Sequence, residues 1–249
     1  MRRGLPRLYT TYADWFHLLT APDEYAEEAS VFTTMLMDLV TPGPRSVLEL
    51  GSGGGNNASH MKAHFQLTLT DISHEMLEVS RSINPECEHV VADMRELRLG
   101  RTFDAVFAHD ALDYLLTLED LANMIETAWI HCRPGGMVLL APDCVRETFR
   151  PATEHGGHDG PERALRYLEW SWDPDPLDRT YNSEIVYVMR HRDGRVQVEH
   201  EQHVLGLFNR ADWLDAMTEA GFLAKSIPYD LSNVEPGTLE VFVGVKPLS

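Results

Sequence analysis

The segment Val47-Leu48-Glu49-Leu50-Gly51-Ser52-Gly53-Gly54-Gly55 constrains this chain more than any other. A short apolar run, fit for a buried strand, empties directly into a loop with glycines at every second position. Glycine tolerates positive φ and has no side chain, so such a loop lets a flat ligand lie against the backbone. The spacing is GxGxG, whereas the dinucleotide fingerprint needs GxGxxG, and position 56 is asparagine. A phosphate-gripping Gly-Lys-Ser/Thr is also missing. A tight turn with no ligand is the bland alternative. Asp71 argues against it, because it ends the next apolar run, Leu67-Thr68-Leu69-Thr70-Asp71, 20 positions after Gly51. There a carboxylate accepts hydrogen bonds from both ribose hydroxyls. A lone Asp at a strand end more often caps a turn or helix, a task that Ser73 could take over. Asp93 follows a third run at the same edge, so three strand ends present Glu49, Asp71 and Asp93 together.

The loop sits in a repeating rhythm of strands and helices. Short β-like runs at 46–50, 66–70, 89–91, 103–108 and 137–141 alternate with helical ones. Pro22-Asp23-Glu24 opens a helix with Tyr25, Ala29, Phe32, Leu36 and Leu39 on one face. Thr117-Leu118-Glu119-Asp120 has capping-box character ahead of Leu121, Ile125, Ala128 and Trp129. Right-handed crossovers then demand an α/β fold with a doubly wound, mostly parallel sheet. After Pro142 the rhythm breaks. Residues 143–178 are rich in Pro, Gly, His and Trp, and runs at 181–189 and 195–205 flank Arg192-Asp193-Gly194 like a hairpin. An antiparallel hairpin insertion, laid as a lid over the carboxyl ends of the parallel strands, is expected. The pattern resumes with Asn209 capping a helix that carries Trp213, Leu214 and Met217, Gly221 closing it, and a final strand at 239–245. The expected organisation is a helical cap over 1–45, a cofactor-binding core over 46–142, a substrate-side insertion over 143–205 and the rest of the core sheet over 206–249.

Against 39 Asp and Glu stand 21 Lys and Arg, a net charge of −18 that repels phosphate backbones and anionic lipid. Neither nucleic acid nor membrane is expected as a partner. Met1-Arg2-Arg3 is followed by Gly4-Leu5-Pro6-Arg7 rather than an apolar stretch, so no secretory leader is expected. Cys87, Cys132 and Cys144 form no CxxC, which fits a reducing, cytoplasmic setting. With no Lys or Arg beside the glycine loop, the edge suits a ligand with adenosine and positive charge but no phosphates. S-adenosylmethionine fits that description. His155-Gly156-Gly157-His158-Asp159-Gly160 offers two imidazoles and a carboxylate, yet no further ligand at helical spacing, so a glycine-rich lid loop and no metal are expected.

At these residues the chain resembles the class I S-adenosylmethionine-dependent methyltransferases. Glu49 to Gly55, Leu69-Thr70-Asp71-Ile72, Ala92-Asp93-Met94-Arg95, Phe103-Asp104-Ala105-Val106 and Arg133-Pro134-Gly135-Gly136 carry the likeness, in family order. The resemblance implies a Rossmann-like sheet of seven strands, with S-adenosylmethionine as cofactor and S-adenosylhomocysteine as product. It implies that Glu49, Gly51, Gly53 and Gly55 line the cofactor loop, that Asp71 holds the ribose, that Ile72 and Met76 flank adenine, that Asp93 meets the adenine amine with Met94 beside it, and that His109 follows the fourth strand. Within the superfamily the chain looks most like the amino-sugar N-methyltransferases of antibiotic biosynthesis. Tyr9, Asp23 to Ala29, His203-Val204-Leu205-Gly206-Leu207-Phe208 and Phe242-Val243-Gly244 are the points of contact. By that likeness Tyr25 binds the methionine carboxylate, and Tyr9 and Glu28 line the active site. Two positions depart from the family: Tyr114 stands where its histidine aligns, and Thr238–Leu239 where it has an arginine. Without that arginine a sugar-nucleotide diphosphate loses an obvious anchor.

Methyl transfer from a sulfonium is an in-line displacement, so alignment in a closed site does most of the work. An amine must be neutral to attack, which calls for a base or a water path. Tyr9, Tyr114 and His203 are the candidate catalytic residues, with ordinary packing as the alternative for each. An amine acceptor is the first expectation. A hydroxyl or carboxylate acceptor, a non-catalytic S-adenosylmethionine-binding protein and a dehydrogenase on the same fold remain open.

Overall fold

The computed structural model describes residues 4–248, so the Met1–Arg3 stretch used in reading the leader lies outside the described residues. Two short 3-10 turns, Arg7–Tyr9 and Ala13–Trp15, lead into α1 (Phe16–Leu19) and, after a third turn at Pro22–Tyr25, into α2 (Ala26–Leu39). The core follows as β1 (Ser46–Leu50), α3 (Asn56–Met61), β2 (Gln66–Asp71), α4 (His74–Ile83), β3 (Glu88–Val91), β4 (Phe103–His109), a 3-10 turn at Asp110–Tyr114, α5 (Leu118–His131) and β5 (Cys132–Ala141). The sequence signals named the caps correctly. Thr117 caps α5 by accepting from the Asp120 N–H, and Asn209 caps α6 (Arg210–Glu219) in a reciprocal box with Asp212.

The core sheet has seven strands in the order β10-β11-β5-β4-β1-β2-β3, where β10 is Leu223–Tyr229 and β11 is Leu239–Val245. β3, β2, β1, β4 and β5 run parallel, and β11 is antiparallel to both β5 and β10. Because strands are buried on both faces, β1 alternates between two cores. Leu48 and Leu50 pack with Leu121, Met124, Trp213 and Met217 of α5 and α6; Val47 packs on the other face with Phe32 and Leu36 of α2 and Met61 of α3. Chain order reverses between β1 and β4, which opens a crevice beyond their carboxyl ends. β10 escaped the sequence reading: it is an edge strand interrupted by Lys225 and Pro228, residues that blunt edges and hide the alternation.

The insertion differs from the expected hairpin. β8 (Thr180–Arg190) and β9 (Val196–Gly206) do pair across Gly194, whose φ of 82° the turn requires, but β6 (Ala152–Gly156) and β7 (Ala164–Trp172) complete a separate four-stranded antiparallel sheet. Residues 152–156 and 164–172 of the expected lid segment are therefore strand. The reason lies in β7, whose alternation is inverted: Leu168 and Trp170 are exposed while Glu169 and Ser171 face inward with Ile185 and Ser183. The inner face packs on the amino-terminal turns through Leu8, Trp15, Leu165, Tyr187 and Met189, and the backbone of Gly206 meets that of Leu115 after β4.

Candidate active site

The chain leaves β1 at Gly51 with φ of 71°, where a Cβ would fall 2.3 Å from that of Ala111. Gly53, at φ 51°, faces open space, since a Cβ there would meet only the Met76 Cε at 3.7 Å. Gly55 is the amino-terminal cap of α3. Asp71 ends β2 and accepts from the Gly53 N–H at 2.9 Å and the Ser73 N–H at 2.8 Å. Ser73 takes the capping task, accepting from the Met76 N–H at 3.1 Å, so Asp71 stays with the loop. Burial raises the Asp71 pKa while those N–H groups work against the rise. Ile72 is exposed and Met76 buried beside it; Met94 lies against Gly51. Asp93 is engaged more fully than its sequence role implied. Arg95 donates to its Oδ1 from the backbone N–H at 2.9 Å and to Oδ2 from Nη2 at 2.7 Å, then reaches Asp120 at 2.6 Å. Arg95 Nε also donates to Oδ1, at 3.0 Å, so the guanidinium grips both oxygens of the carboxylate.

Period two places Glu49 and His109 on the sheet face covered by α2, which brings Glu28. His109 Nε2 stands 3.3 Å from Glu28 Oε2, and Nδ1 2.9 Å from Asp110 Oδ1. Burial alone would lower this imidazole; the Asp110 and Glu28 carboxylates outweigh it and hold the pKa up to about 9. Burial, helped by Asp110 and Asp71 and opposed by His109, pushes Glu49 up to about 8, and its Oε2 is buried with no partner among the described residues. Tyr25 donates to Asp110 at 3.3 Å. Asp110 itself has φ of 32°, a strained value for a residue other than glycine. Asp113 accepts from Tyr181 at 2.9 Å and is pushed by burial up to about 7; burial, then Asp113 and Asp110, also raises Asp143.

Asp110, Asp113 and Asp143 were missed by the sequence reading, although acids just beyond the ends of β4 and β5 are a usable signal. His109, Asp110 and Asp143 bring ligand-type atoms within 4.8 Å of one another. His158 and Asp159 are occupied elsewhere, by Glu24 at 3.0 Å and by Arg166 at 2.7 Å.

The three candidate catalytic residues meet. Tyr114 Oη lies 3.2 Å from Tyr9 Oη and 2.8 Å from His203 Nδ1. His203 is buried, and its Nε2 is 3.8 Å from Glu201 Oε2. The Tyr9 carbonyl accepts from Ser73 Oγ at 2.5 Å, which ties this line to the cofactor edge. Burial pushes both phenol pKa values up. The cleft of about 580 Å³ lined by Lys62, Phe65, Glu88 and Arg101 opens at the opposite ends of β1 and β2, away from all these groups.

Residues 47–136 match the family model described as a methyltransferase domain. The dTDP-3-amino-3,4,6-trideoxy-alpha-D-glucopyranose N,N-dimethyltransferase of Streptomyces venezuelae is 28% identical over 237 residues, 93% of this chain and 95% of its own. The crystal structure of Streptomyces venezuelae DesVI superposes with a TM-score of 0.80 at 26% identity, over 98% of this chain and 100% of that one. The chain is an S-adenosylmethionine-dependent methyltransferase. The dTDP-3-amino-3,6-dideoxy-alpha-D-glucopyranose N,N-dimethyltransferase of Streptomyces fradiae is 26% identical over 86% of this methyltransferase and 84% of its own length. The sugar N-methyltransferase KedS8 from Streptoalloteichus sp. shares the fold, with a TM-score of 0.80 at 24% identity over 99% of this chain and 96% of that one. The donor set fits the cofactor: an open glycine cradle, a carboxylate hydrogen-bonded to that loop at the end of β2, and a buried Glu49 oxygen with no partner among the described residues. Among the described residues no helix is long and apolar enough to cross a membrane.

Proposed function

We propose that this methyltransferase methylates an amine nitrogen of a small, sugar-like acceptor in the cytoplasm, held between the carboxyl ends of β1 and β4 and the inner face of the β6–β9 sheet. In this reading residues 46–142 hold the cofactor beneath the 1–45 cap, and 143–205 form the acceptor side. Gly51, Gly53, Gly55 and Asp71 cradle the adenosine, Ile72, Met76, Asp93 and Met94 surround the adenine, and Tyr25, Glu49 and His109 meet the methionine end. When bound, S-adenosylmethionine supplies an electrophilic methyl group on a sulfonium and departs as S-adenosylhomocysteine. The acids around His109 favour cations, both the sulfonium and an incoming ammonium.

The observation that carries the amine assignment is the hydrogen-bonded line from Tyr9 through Tyr114 to His203. Glu201 on the Nε2 side favours the tautomer protonated there, which leaves Nδ1 to accept from Tyr114. Tyr114 then accepts from Tyr9, and the Tyr9 oxygen accepts a proton from the acceptor nitrogen. The proton passes to His203, and the imidazolium is stabilised by Glu201. Incubation with S-adenosylmethionine and a panel of amino sugars tests this: methyl gain on nitrogen, with S-adenosylhomocysteine formed one for one, is expected. Methyl gain only on oxygen would overturn the amine assignment.

A further inference from the structure

The β6–β9 sheet presents its inward side chains in rows. Strand register sets Glu154 directly opposite Glu169, and the row continues through Ile185 to Glu201; the neighbouring row runs Ala152, Ser171, Ser183, His203. Like charges directly opposed across an antiparallel pair destabilise a sheet. No Lys or Arg occupies that face on any of the four strands, and among the described residues neither Glu154 nor Glu169 has an ion-pair partner. Glu201 differs, because the backbone N–H groups of Arg7 and Leu8 donate to it. Glu169 is steadied by Ser183 Oγ at 2.5 Å, while Glu154 stays exposed beside it. Tyr187, on the same face, is 1% exposed, and its hydroxyl has no hydrogen-bond partner among the described residues. That hydroxyl is within electrostatic reach of Tyr9, Glu201 and Glu169. The row that carries Tyr187 thus lies beside the row of Glu154 and Glu169, which in turn lies beside the row that ends at His203.

Resting on the N-methyltransferase reading, we infer that the acceptor carries a second ammonium group, bound by Glu154 and Glu169, and is an unphosphorylated di- or polyamine. The cation relieves the repulsion between the opposed carboxylates. A nucleoside diphosphate would instead bring negative charge against them, and the Arg7 guanidinium that reaches this face is already paired with Glu199 and Tyr12.

Titration calorimetry on the full chain loaded with S-adenosylhomocysteine tests this, using 2-deoxystreptamine with two ammonium groups, glucosamine with one, and dTDP-glucose with a diphosphate. 2-Deoxystreptamine is expected to bind at least about tenfold tighter than glucosamine, with dTDP-glucose the weakest of the three. Glu169→Gln and Glu154→Gln should each bring the two amines within about threefold of one another and leave S-adenosylhomocysteine affinity unchanged. Each should also raise the melting temperature, because the native pair is repulsive. Equal affinity for the two amines, a ratio untouched by both variants, or tighter binding of dTDP-glucose would overturn the inference. Failure of the unaltered chain to bind S-adenosylhomocysteine would instead strike the methyltransferase reading.

Discussion

Between Gly51 and Asp71 the polypeptide assembles the proposed cofactor edge from one strand, one loop and the next strand, closed by a single backbone-to-carboxylate hydrogen bond from Gly53 18 positions away. The acceptor line is assembled from three distant places: Tyr114 stands 105 positions from Tyr9 and 89 from His203. The first region is local and made largely of backbone; the second is nonlocal and made of side chains. A local edge tolerates drift elsewhere in the chain, so many acceptors can be served by one cofactor site. The nonlocal face is where substrate preference is free to vary.

If that contrast is right, damage to the acceptor line should abolish turnover and spare cofactor binding. His203→Ala is expected to lower kcat by about 100-fold or more, the usual scale of a general base. Tyr9→Phe and Tyr114→Phe should fall in the same direction, and the double variant should be little worse than either single one, because the line acts as a unit. S-adenosylhomocysteine affinity by calorimetry should not change in any of them. A loss of cofactor affinity matching the loss of kcat would break the comparison.

Asp71→Ala is the converse case. It removes the acceptor for two backbone N–H groups and the proposed ribose contact. At about 1.5–3 kcal/mol for each hydrogen bond to a charged group, S-adenosylhomocysteine affinity should fall by roughly ten- to a hundredfold. At saturating cofactor, kcat should recover most of its value.

How much of each region could be read in advance follows from the same contrast. The glycine spacing, the strand-end Asp71 and the caps Thr117 and Asn209 are short-range patterns, and all are found in place. Tyr9, Tyr114 and His203 were candidates by resemblance and by their expected place at the crevice, and their contact with one another was not legible, because no periodicity links the ends of a chain this long. β6 and β7 were hidden because their sheet reverses the usual rule, with Trp170 facing solvent and Glu169 facing in. Burial and charge made the rest illegible. Glu49 reads as a strand residue, and only the folded surroundings of Asp110 and Asp71 make it a proton store.

That store sharpens the comparison through pH. Glu49 and Asp113 ordinarily titrate at 4.5 and 3.8 and are raised to about 8 and about 7, so between those limits the folded chain holds protons that the unfolded chain releases. Stability without ligand should therefore fall as pH rises through that window, and His109, raised from 6.5 to about 9, continues the fall. Melting temperature followed from pH 5 to 9 checks the sign. A bound cation lowers the Glu49 pKa, so cofactor uptake near pH 7 should release a fraction of a proton. Calorimetry in buffers of different ionisation enthalpy measures that fraction, and Glu49→Gln should abolish most of it.

The smallest effect lies at Ser73, which belongs to both regions. Its backbone N–H donates to Asp71, and its hydroxyl accepts from Met76 and donates to the Tyr9 carbonyl. Ser73→Ala keeps the first bond and loses the other two. Losing an amino-terminal cap costs about 1 kcal/mol, which for a chain of this size lowers the melting temperature by about 2–4 °C. Because the Asp71 contact survives, cofactor affinity should change by less than about threefold, whereas the freed Tyr9 should lose alignment with Tyr114 and lower kcat more than affinity. Equal loss in both would mean that the two regions form one cooperative unit, in which the local edge depends on the nonlocal face.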